Sequence, residues 1–492
     1  MKQETRKIVS NFTRLYQKVK IKLSFFNSFN WNRIIPVCII LLGVFWFSVT
    51  ALQYKGFAYR TGDTPVAEQA IWNTVHGRIF YQSFLGTDTN LREHLNFIQV
   101  LYLPFYALVP HTLTLFFIIQ LSMILGAIFL FIYARKKFGT LAGALAAGIF
   151  VFNPITASQA VGDMHVVSVA AAMFLMLLIS YHEKRYKHFL FWTVAMVLVS
   201  EFVAPTVALV GVLAFLERRN WKWYLPPLAG GIGLYMAAKY YITIGFGSND
   251  NILSKFKLQA LMSIYKIEKR LDLVREALAP LLWIFPWLSK YSLLLIPSLL
   301  IALVIIIPGR IGGGNHVFIL IPPVMAMIFI DLLERFGKYR KYLLWIAAIG
   351  IIFSLHPWYK LMEIDASEYS AEMSRAVEAV KDGGSLTSST QFGPNLCRRE
   401  EYFLPFNDKM TDYVVLKTSK ITKKTNELED QELKYDQVIE RSGLYRTVFR
   451  EGRIVVFVKK EKVAEILGVS LDVLEGMSDE ELAGSWKKAP SR

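Results

Sequence analysis

Acidic and histidine side chains stand at the borders of long apolar runs in this sequence, where ionisable groups are uncommon. Carboxylates and imidazoles are the groups that proteins use most often as general bases and as ligands for divalent cations. The sequence therefore offers proton transfer or metal binding at the edges of apolar segments. The candidate residues are Asp63, Glu68, His94, Asp163, His165, Glu201 and His316.

Asp63 comes just before a predicted helix in the stretch "AYRTGDTPVAEQAIWNTVHGR". Thr64 suits the N-cap, Pro65 suits the first helical position, and Gly77 closes a helix that ends at His76. Apolar residues recur in it at three- and four-residue spacing, which predicts a helix lying along the outer surface of the membrane. The positive end of this helix would stabilise an ionised Asp63. Asp63 is thus either a base for a substrate at the interface or simply a helix cap.

Glu201 interrupts a run that is otherwise apolar enough for a membrane. A carboxylate within hydrocarbon is costly, so Glu201 is expected to face a polar cavity or a partner; the alternative is a turn residue between two short helices. His94 and His316 each begin an apolar run, where a hydrogen-bonded interfacial side chain is the simpler interpretation. Five of the candidates could instead gather a divalent cation: Asp63, Glu68, His94, Asp163 and His165.

The composition decides the class of protein that must position these residues. The chain has 492 residues, of which 54% are hydrophobic, and a mean hydropathy of +0.36, which is typical of a polytopic membrane protein. Ile34 to Leu52 is uncharged and long enough to cross a hydrocarbon core about 30 Å thick. Counting Phe189–Leu216 as two short helices, we predict a mainly α bundle of about eleven transmembrane helices. The other predicted spans are Leu95–Ala134, Phe138–Gly162, Val166–Tyr181, Trp223–Ala238, Ala277–Ser289, Tyr291–Gly309, Val317–Ile330 and Tyr342–Tyr359.

The net charge of +16 is explained by topology rather than by nucleic-acid binding. Basic residues are concentrated in residues 1–33 and in alternate connections, as the positive-inside rule requires for a cytoplasmic N-terminus. Residues 54–96 and 239–276 are then outer loops, although the second is itself basic. An odd number of spans would leave the C-terminal region outside the cell. The two cysteines give no disulfide framework.

The composition changes after Tyr359, where the membrane part, residues 34–359, is predicted to end. "YSAEMSRAVEAVKDGG" has a helical stripe, while "DYVVLKTS" and "YRTVFREGRIVVFVKK" are typical of strands, the latter a hairpin turning at Glu451-Gly452. We predict a small extracytoplasmic α/β domain over residues 360–460. Residues 461–492 are predicted to be a charged tail, helical or loose.

Motifs of soluble enzymes are missing from the sequence. It contains no P-loop, no HExxH and no CxxC pair, and "GRIGGGNH" lacks the spacing of a dinucleotide fingerprint. A reaction supplied by a cytoplasmic nucleotide therefore has no visible binding site.

Six stretches resemble, in the same order, the prokaryotic membrane family called domain of unknown function 2079. The similarity runs from about Tyr54 to Lys459, and the family looks like a branch of the GT-C glycosyltransferases. The resemblance thus implies a membrane enzyme that takes a sugar from a polyprenyl phosphate on the extracytoplasmic face. The stretches are "GDTPVAEQAIWNTVHGRIFYQS", "EHLNFIQVLYLPFYALVP", "GDMHVVSVAAAMFLML", "LVSEFVAPTVALV", "GNHVFILIPPVMA" and "GSLTSSTQFGPNLCRREEYFLPF".

The resemblance also implies roles for individual residues. The catalytic base of the family falls on Asp63 and its second acid on Glu68. The positions expected to bind the substrate are His94, Asp163, His165, Glu201 and His316. Arg60, Arg78 and Arg92 flank the first loop and could neutralise a departing phosphate, or could equally contact lipid headgroups. The implied partners are a polyprenyl-phosphate-linked sugar, membrane lipid and an acceptor that is a glycan, a lipid or a protein; no nucleic acid is expected. The resemblance implies no certain cofactor, and a divalent cation stays an option.

Two other functions fit the same sequence. A multi-pass transporter would use polar, broken helices near the middle of the membrane, and Glu201 in a broken span is in its favour, whereas the lack of internal repeats is not. A non-catalytic membrane scaffold or sensor would use the C-terminal region for binding and would leave Asp63 without a role.

Overall fold

The computed structural model of the protein is mainly helical and ends in a small mixed sheet. It describes residues 30–59, 62–84, 88–92, 94–246, 271–272, 274–304, 318–358, 362–364, 366–381, 383–405, 409–418 and 435–489. The α-helices of its first part include α1 (Trp31–Lys55), α2 (Asp63–Val75), α3 (Leu103–Leu108), α4 (Thr112–Phe138), α5 (Thr140–Val151), α6 (Pro154–Val161), α7 (Ala170–His182), α8 (Tyr186–Val197), α9 (Ala204–Leu216), α10 (Trp221–Phe246), α11 (Ile296–Val304), α12 (Ile321–Arg335) and α13 (Arg340–Ser354).

Two helices of the described part, α1 and α4, are long and apolar enough to cross a membrane. A third candidate is the pair α5 and α6, which is bent by 57°. The bend follows from Pro154, because proline cannot continue the hydrogen-bond ladder of α5. Asn153 stabilises the break by accepting from the Ile155 amide at 3.0 Å and donating to the Ala277 carbonyl at 3.0 Å. The other predicted spans are not among these candidates of the described part, and the number of spans beyond these three stays a prediction.

One predicted span is wrong. Ala277–Ser289 forms two short 3-10 helices, Ala279–Leu281 and Phe285–Leu288, instead of an α-helix. Leu282 and Trp283 between them have φ values of 49° and 60°, in the left-handed region. A proline in each turn removes a backbone donor, so the apolar composition of the segment is not matched by helical hydrogen bonding.

The long apolar run Leu95–Ala134 contains a full span only in its second part. It begins with a 3-10 helix at Phe97–Leu101 and the short helix α3, and α4 starts at Thr112. His111 caps α4 by accepting from the Leu113 amide at 3.1 Å. The prediction of two short helices in Phe189–Leu216 is confirmed, since α8 and α9 lie on either side of Glu201.

The helical part has one end rich in ion pairs, which we call the charged end. There Lys137 pairs with Glu183 and Glu334, and Glu217 pairs with Lys290. The start of α1 belongs to this end, because the Thr140 hydroxyl lies 2.9 Å from Asn32 Oδ1. The far end of α1 leads into α2, so the first loop lies at the opposite end of the bundle.

The strands form one five-stranded sheet with the order β2-β1-β3-β5-β4. Strand β1 runs parallel to β2 and β3, whereas β5 runs antiparallel to β3 and β4. The predicted strands and the hairpin between β4 and β5 are confirmed. The bounds are β1 (Leu386–Ser388), β2 (Tyr402–Phe403), β3 (Tyr413–Lys417), β4 (Tyr445–Glu451) and β5 (Ile454–Lys459).

Helices precede, interrupt and follow the strands of this sheet in the sequence. We call the described residues of 370–489 the C-terminal unit. The predicted tail is packed rather than loose, because Trp486 is buried in the apolar cluster of the sheet and donates to the Ala379 carbonyl at 2.7 Å. The helices are α14 (Ser370–Ala379), α15 (Gly393–Leu396), α16 (Lys460–Leu467), α17 (Leu471–Gly476) and α18 (Asp479–Lys488).

Helix α2 differs from its prediction in its surroundings. It spans Asp63–Val75, close to the predicted bounds, but Gly62 precedes it and no side chain caps it. It is buried on most of its surface, including Glu68, Gln69 and Asn73. The polar face that was expected to meet water meets the C-terminal unit instead, so α2 is an internal helix rather than an amphipathic surface helix.

Small residues allow α9 and α10 to pack closely, which gives a stability prediction. A Cβ atom at Gly231 would lie 2.5 Å from the Ala204 carbonyl oxygen and 2.7 Å from the Ala208 amide nitrogen. Both are backbone atoms, so Gly231→Ala is expected to push the helices apart and to lower the free energy of unfolding by about 1–3 kcal/mol. Gly233→Ala on the same helix is the control, because its Cβ would meet no atom within 4 Å. Equal melting temperatures for the two variants would contradict the prediction.

Candidate functional site

A cavity of about 440 Å³ lies at the end of the bundle that carries α2. This volume is in the range of small-molecule sites. Its walls come from the first loop, from the turn between α6 and α7, from the connection between α8 and α9, and from the C-terminal unit. The lining residues are Gly62, Asp63, Val66, Ala67, Phe84, Asn90, His94, Asn96, Met164, His165, Val166, Val167, Phe202, Thr390 and Leu404.

Asp63 is the first residue of α2 and its side chain is exposed on the cavity wall. Its position is fixed by the next residue, because the Thr64 hydroxyl accepts from the Met164 amide at 3.0 Å and donates to Asp163 Oδ1 at 3.3 Å. The first loop and the turn between α6 and α7 are thereby tied together. Asp163 serves this link and is not among the lining residues.

His94 and Glu201 form a short hydrogen bond. His94 Nδ1 lies 2.6 Å from Glu201 Oε1, and Glu201 Oε2 accepts from the Leu95 amide at 3.1 Å and from the Ser200 hydroxyl at 3.1 Å. Glu201 is only 4% exposed, whereas the His94 side chain is 35% exposed and lines the cavity. The Phe202 ring packs 4.8 Å from the imidazole. Glu201 therefore orients His94 and leaves Nε2 as the ring nitrogen for the cavity side.

His165 precedes the 3-10 helix Val166–Val169 and lines the same cavity. Burial, assisted by the neighbouring His94, lowers the pKa of its imidazole to about 4. His165 is thus neutral at pH 7 and can donate one hydrogen bond and accept another. The structure brings Asp63, His94 and His165 to one cavity although they are far apart in sequence.

Glu68 lies on a different face of α2 and outside the cavity. It is fully buried, and it accepts from the Tyr106 hydroxyl at 2.9 Å and contacts the Thr112 hydroxyl at 2.6 Å. The Cys397 thiol is 3.5 Å away, and Arg398 Nη1 is 4.0 Å away. The expected pairing of Glu68 with Asp63 in one reactive site is therefore not what the structure shows.

Two of the predicted arginines, Arg78 and Arg92, also lie away from the cavity lining. Arg78 pairs with Glu400 at 3.1 Å and stacks on Tyr81, and Arg92 pairs with Asp88 at 3.8 Å. Arg60 and His316 lie outside the described residues, as does most of the predicted outer loop 239–276. Over the described ranges, no three His, Cys, Asp or Glu side chains are placed to hold a metal ion, so the proposed cation cluster does not form there.

Three polar lining residues were missed from the sequence: Asn90, Asn96 and Thr390. Asn96 stands two residues after His94, and its Oδ1 is buried with no hydrogen-bond partner in the described part of the chain. Thr390 belongs to the "GSLTSSTQFGPN" stretch, which had been noted only for its resemblance. Polar residues next to a candidate histidine were the available signal, but asparagine and threonine are common in loops.

The C-terminal unit is held on α2 and the loop after it by hydrogen bonds from their side chains to the backbone of the C-terminal unit. Gln69 donates to the Glu400 carbonyl at 3.0 Å, and Asn73 donates to the same oxygen at 3.4 Å. The Ser83 hydroxyl donates to the Tyr402 carbonyl at 3.0 Å and accepts from the Tyr402 amide at 2.8 Å. These contacts place Thr390 and Leu404 at the cavity wall.

Comparison with known proteins agrees with the resemblance. The family described as "Predicted membrane protein (DUF2079)" matches residues 63–248, which include Asp63, His94, His165 and Glu201. The predicted recognition is thereby confirmed over this part of the chain. No curated protein matches the sequence with significance.

Solved structures of similar fold include two of ArnT from Cupriavidus metallidurans. The structure bound to undecaprenyl phosphate has a TM-score of 0.54 at 11% sequence identity, and the apo structure has a TM-score of 0.53 at 13% identity. In both cases the similarity covers 86% of this chain and 97% of the other. The protein thus has an ArnT-like fold, and residues 63–248 match a family described as a predicted membrane protein.

Proposed function

We propose that this protein is an integral membrane GT-C-like glycosyltransferase that transfers a sugar from a polyprenyl-phosphate donor to an acceptor on the extracytoplasmic face. The observation that carries the proposal is the cavity in which Asp63, His94 and His165 meet. The fold likeness to ArnT, one structure of which holds undecaprenyl phosphate, supports a polyprenyl phosphate as the donor lipid.

Asp63 is the proposed general base. The acceptor oxygen attacks the anomeric carbon of the sugar and its proton passes to the Asp63 carboxylate. The bond between the anomeric carbon and the phosphate oxygen breaks, and the electron pair leaves with the polyprenyl phosphate. Asp63 suits this role because it is the first residue of α2 and because its side chain is accessible from the cavity.

His94 is our candidate for the group that meets the departing phosphate. A carboxylate hydrogen-bonded to Nδ1 stabilises positive charge on an imidazole, and Glu201 supplies it at 2.6 Å. No lysine or arginine of the described residues lines the cavity. Among the described lining residues, a histidine is therefore the side chain that can carry positive charge. The neutral His165 and the amide of Asn96 are proposed to bind sugar hydroxyls.

The proposed orientation follows from the two ends of the bundle. Four basic clusters lie near the charged end, whose ion pairs include Lys137 and Glu217. Positive charge is concentrated on the cytoplasmic side of membrane proteins. The end that carries α2 and the C-terminal unit then faces outward. The clusters are residues 135–137, 184–187, 218–222 and 335–341.

The proposed function is tested with purified protein in lipid vesicles. The probe is a set of undecaprenyl-phosphate-linked sugars labelled in the sugar, supplied with a cell-envelope extract as the source of acceptors. We expect label to pass from the lipid donor to an extract component with at least one sugar, and unlabelled undecaprenyl phosphate to be released. Vesicles without protein are the control. Retention of the label on every donor would count against the proposal.

A further inference from the structure

The C-terminal unit forms part of the cavity wall through Thr390 and Leu404. Thr390 stands just before α15, and α15 packs on α2 so closely that a Cβ at Gly393 would lie 2.7 Å from Pro65 Cγ. The chain then continues through Cys397 to Arg398. Whatever holds this segment on α2 therefore sets the position of one wall of the cavity.

The segment is held by a buried polar group that we call the Glu68 cluster: Glu68, Tyr106, Thr112, Cys397 and Arg398. Three parts of the chain meet in it, namely α2, the start of α4 with α3 before it, and the C-terminal unit. Thr112 is the central contact, because its Oγ1 lies 2.6 Å from Glu68 Oε2 and 2.7 Å from the Pro394 carbonyl oxygen.

The hydrogen atoms of this cluster can be assigned from donor and acceptor chemistry. A threonine hydroxyl has one hydrogen to donate, and a carbonyl oxygen can only accept. The Thr112 hydroxyl therefore donates to Pro394, and its short contact with Glu68 is a hydrogen bond if Glu68 carries the proton. Tyr106 donates to Oε1, the other carboxyl oxygen. A neutral Glu68 can donate its proton to Thr112 and still accept from Tyr106, so both hydrogen bonds are formed. An ionised Glu68 would have no proton to donate, and the Thr112 hydroxyl already donates its own hydrogen to Pro394.

The charges around Glu68 act in opposite directions. Burial raises the pKa of the Glu68 carboxyl, while the Arg398 guanidinium at 4.0 Å and the polar side chains of Thr112, Tyr106 and Cys397 lower it; burial prevails. Arg398 is also bound to the Pro110 and Asn395 carbonyls at 3.4 Å and 3.5 Å.

Other titratable groups near Glu68 come from each of the elements that pack around it. Tyr54 is on α1, Tyr106 is on α3, and Cys397 is in the C-terminal unit, where burial raises the pKa of its thiol. Burial, assisted by Arg398, lowers the pKa of His111 before α4. Apart from Arg398, the surrounding groups are therefore neutral near pH 7.

We propose that Glu68 is a positioning residue which, as a neutral carboxylic acid, holds the C-terminal unit on α2 and so completes the wall of the donor cavity. The assignment of that cavity to a sugar donor rests on the proposed function, but the docking of the C-terminal unit does not. Asp63 and Glu68 both lie on α2. The position of Asp63 at the cavity is therefore coupled to the contact between Glu68 and the C-terminal unit.

The test compares Glu68→Gln with Glu68→Ala in the full-length protein in lipid vesicles. Glutamine can copy the acid, because its amide N–H donates to Thr112 while its oxygen accepts from Tyr106. Amide hydrogen exchange of residues 386–404 should therefore stay within about twofold of the parent in Glu68→Gln and rise by roughly tenfold or more in Glu68→Ala. Sugar transfer should follow the same order, with the loss in Glu68→Ala mainly in KM.

Amide hydrogen exchange measured over a range of pH separates the protonation of Glu68 from a simple loss of packing, because packing alone would not depend on pH. The contribution of a protonated Glu68 is present at low pH and is lost as pH rises through its raised pKa. Exchange in the parent, corrected for intrinsic rates, should therefore increase across that range, and Glu68→Gln should show no such dependence.

Two outcomes would overturn the proposal. Unchanged exchange in both variants would show that Glu68 does not hold the C-terminal unit. Normal exchange with abolished transfer in Glu68→Gln would make Glu68 a proton-transfer group instead. Because exchange does not depend on any donor, absence of sugar transfer in the parent protein would defeat the proposed function and leave this test intact.

Discussion

Asp63→Asn is expected to lose sugar transfer from a polyprenyl-phosphate donor by roughly two to four orders of magnitude, which is the usual contribution of a general base. Asparagine has nearly the same shape but cannot take the acceptor proton. Folding should be unaffected, because the Asp63 side chain is exposed and the links that fix the start of α2 come from Thr64. Transfer rate and melting temperature are measured on the same vesicle preparations.

The matched control for this variant is Asp88→Asn. Asp88 is an acid of the same loop with its side chain 82% exposed, and it pairs with Arg92 at 3.8 Å, away from the cavity lining. We expect parental transfer from it. Full activity in Asp63→Asn would remove Asp63 from the mechanism, and equal losses in both variants would indicate a general effect of loop charge.

Glu201→Gln is expected to impair transfer strongly through His94. Three donors converge on the Glu201 carboxylate, from His94, Leu95 and Ser200. An amide has only one oxygen, so its NH₂ group must face one of these donors. Loss of a hydrogen bond to a charged group costs about 1.5–3 kcal/mol, which corresponds to roughly 10- to 150-fold in rate if the whole amount is lost from the transition state.

Glu217→Gln tests whether this effect is specific to the cavity. Glu217 stands after the other end of α9, at the charged end, where it binds Lys290, Arg219 and Tyr181. Its replacement should lower the melting temperature but leave KM and kcat close to the parent. If both glutamate variants lose stability and transfer in proportion, the role that we assign to Glu201 is refuted.

The ionisable residues of the cavity could be predicted from their chemistry, whereas its other polar residues could not. Asp63, His94 and His165 are ionisable groups at the borders of apolar runs, where a protein has few structural reasons to keep them, and the structure brings all three together. Their convergence could not be read from spacing. It depends on Thr64 binding the turn at Asp163 and on Glu201 binding His94, which are contacts between residues about a hundred positions apart.

The surroundings of α2 could not be predicted for the same reason. Its pattern of apolar and polar residues indicated a helix along the membrane surface, with Glu68, Gln69 and Asn73 off its apolar stripe. Hydrophobic periodicity reports which face is polar but not what covers it. The cover is the C-terminal unit, whose Glu400 carbonyl binds Gln69 across 331 positions of sequence.

The segment Ala277–Ser289 shows the limit of hydropathy. Its uncharged composition predicted a span, but hydropathy measures transfer of side chains and does not register missing backbone donors. Pro280 and Pro286 were visible in the sequence and would have argued against a helix. Within the described part, the segment packs instead against α13, where Gly350 lies directly beside the Pro280 carbonyl.

The order in which this chain leaves the ribosome gives the docking of the C-terminal unit a further consequence. Helix α2 is made early, whereas Thr390, Pro394 and Glu400 are made more than three hundred residues later. Until they emerge, the polar face of α2 has none of these partners and the cavity lacks a wall. A truncated or stalled chain would therefore reach the bilayer with Asp63 in place but without this wall of the cavity, and we expect it to be inactive.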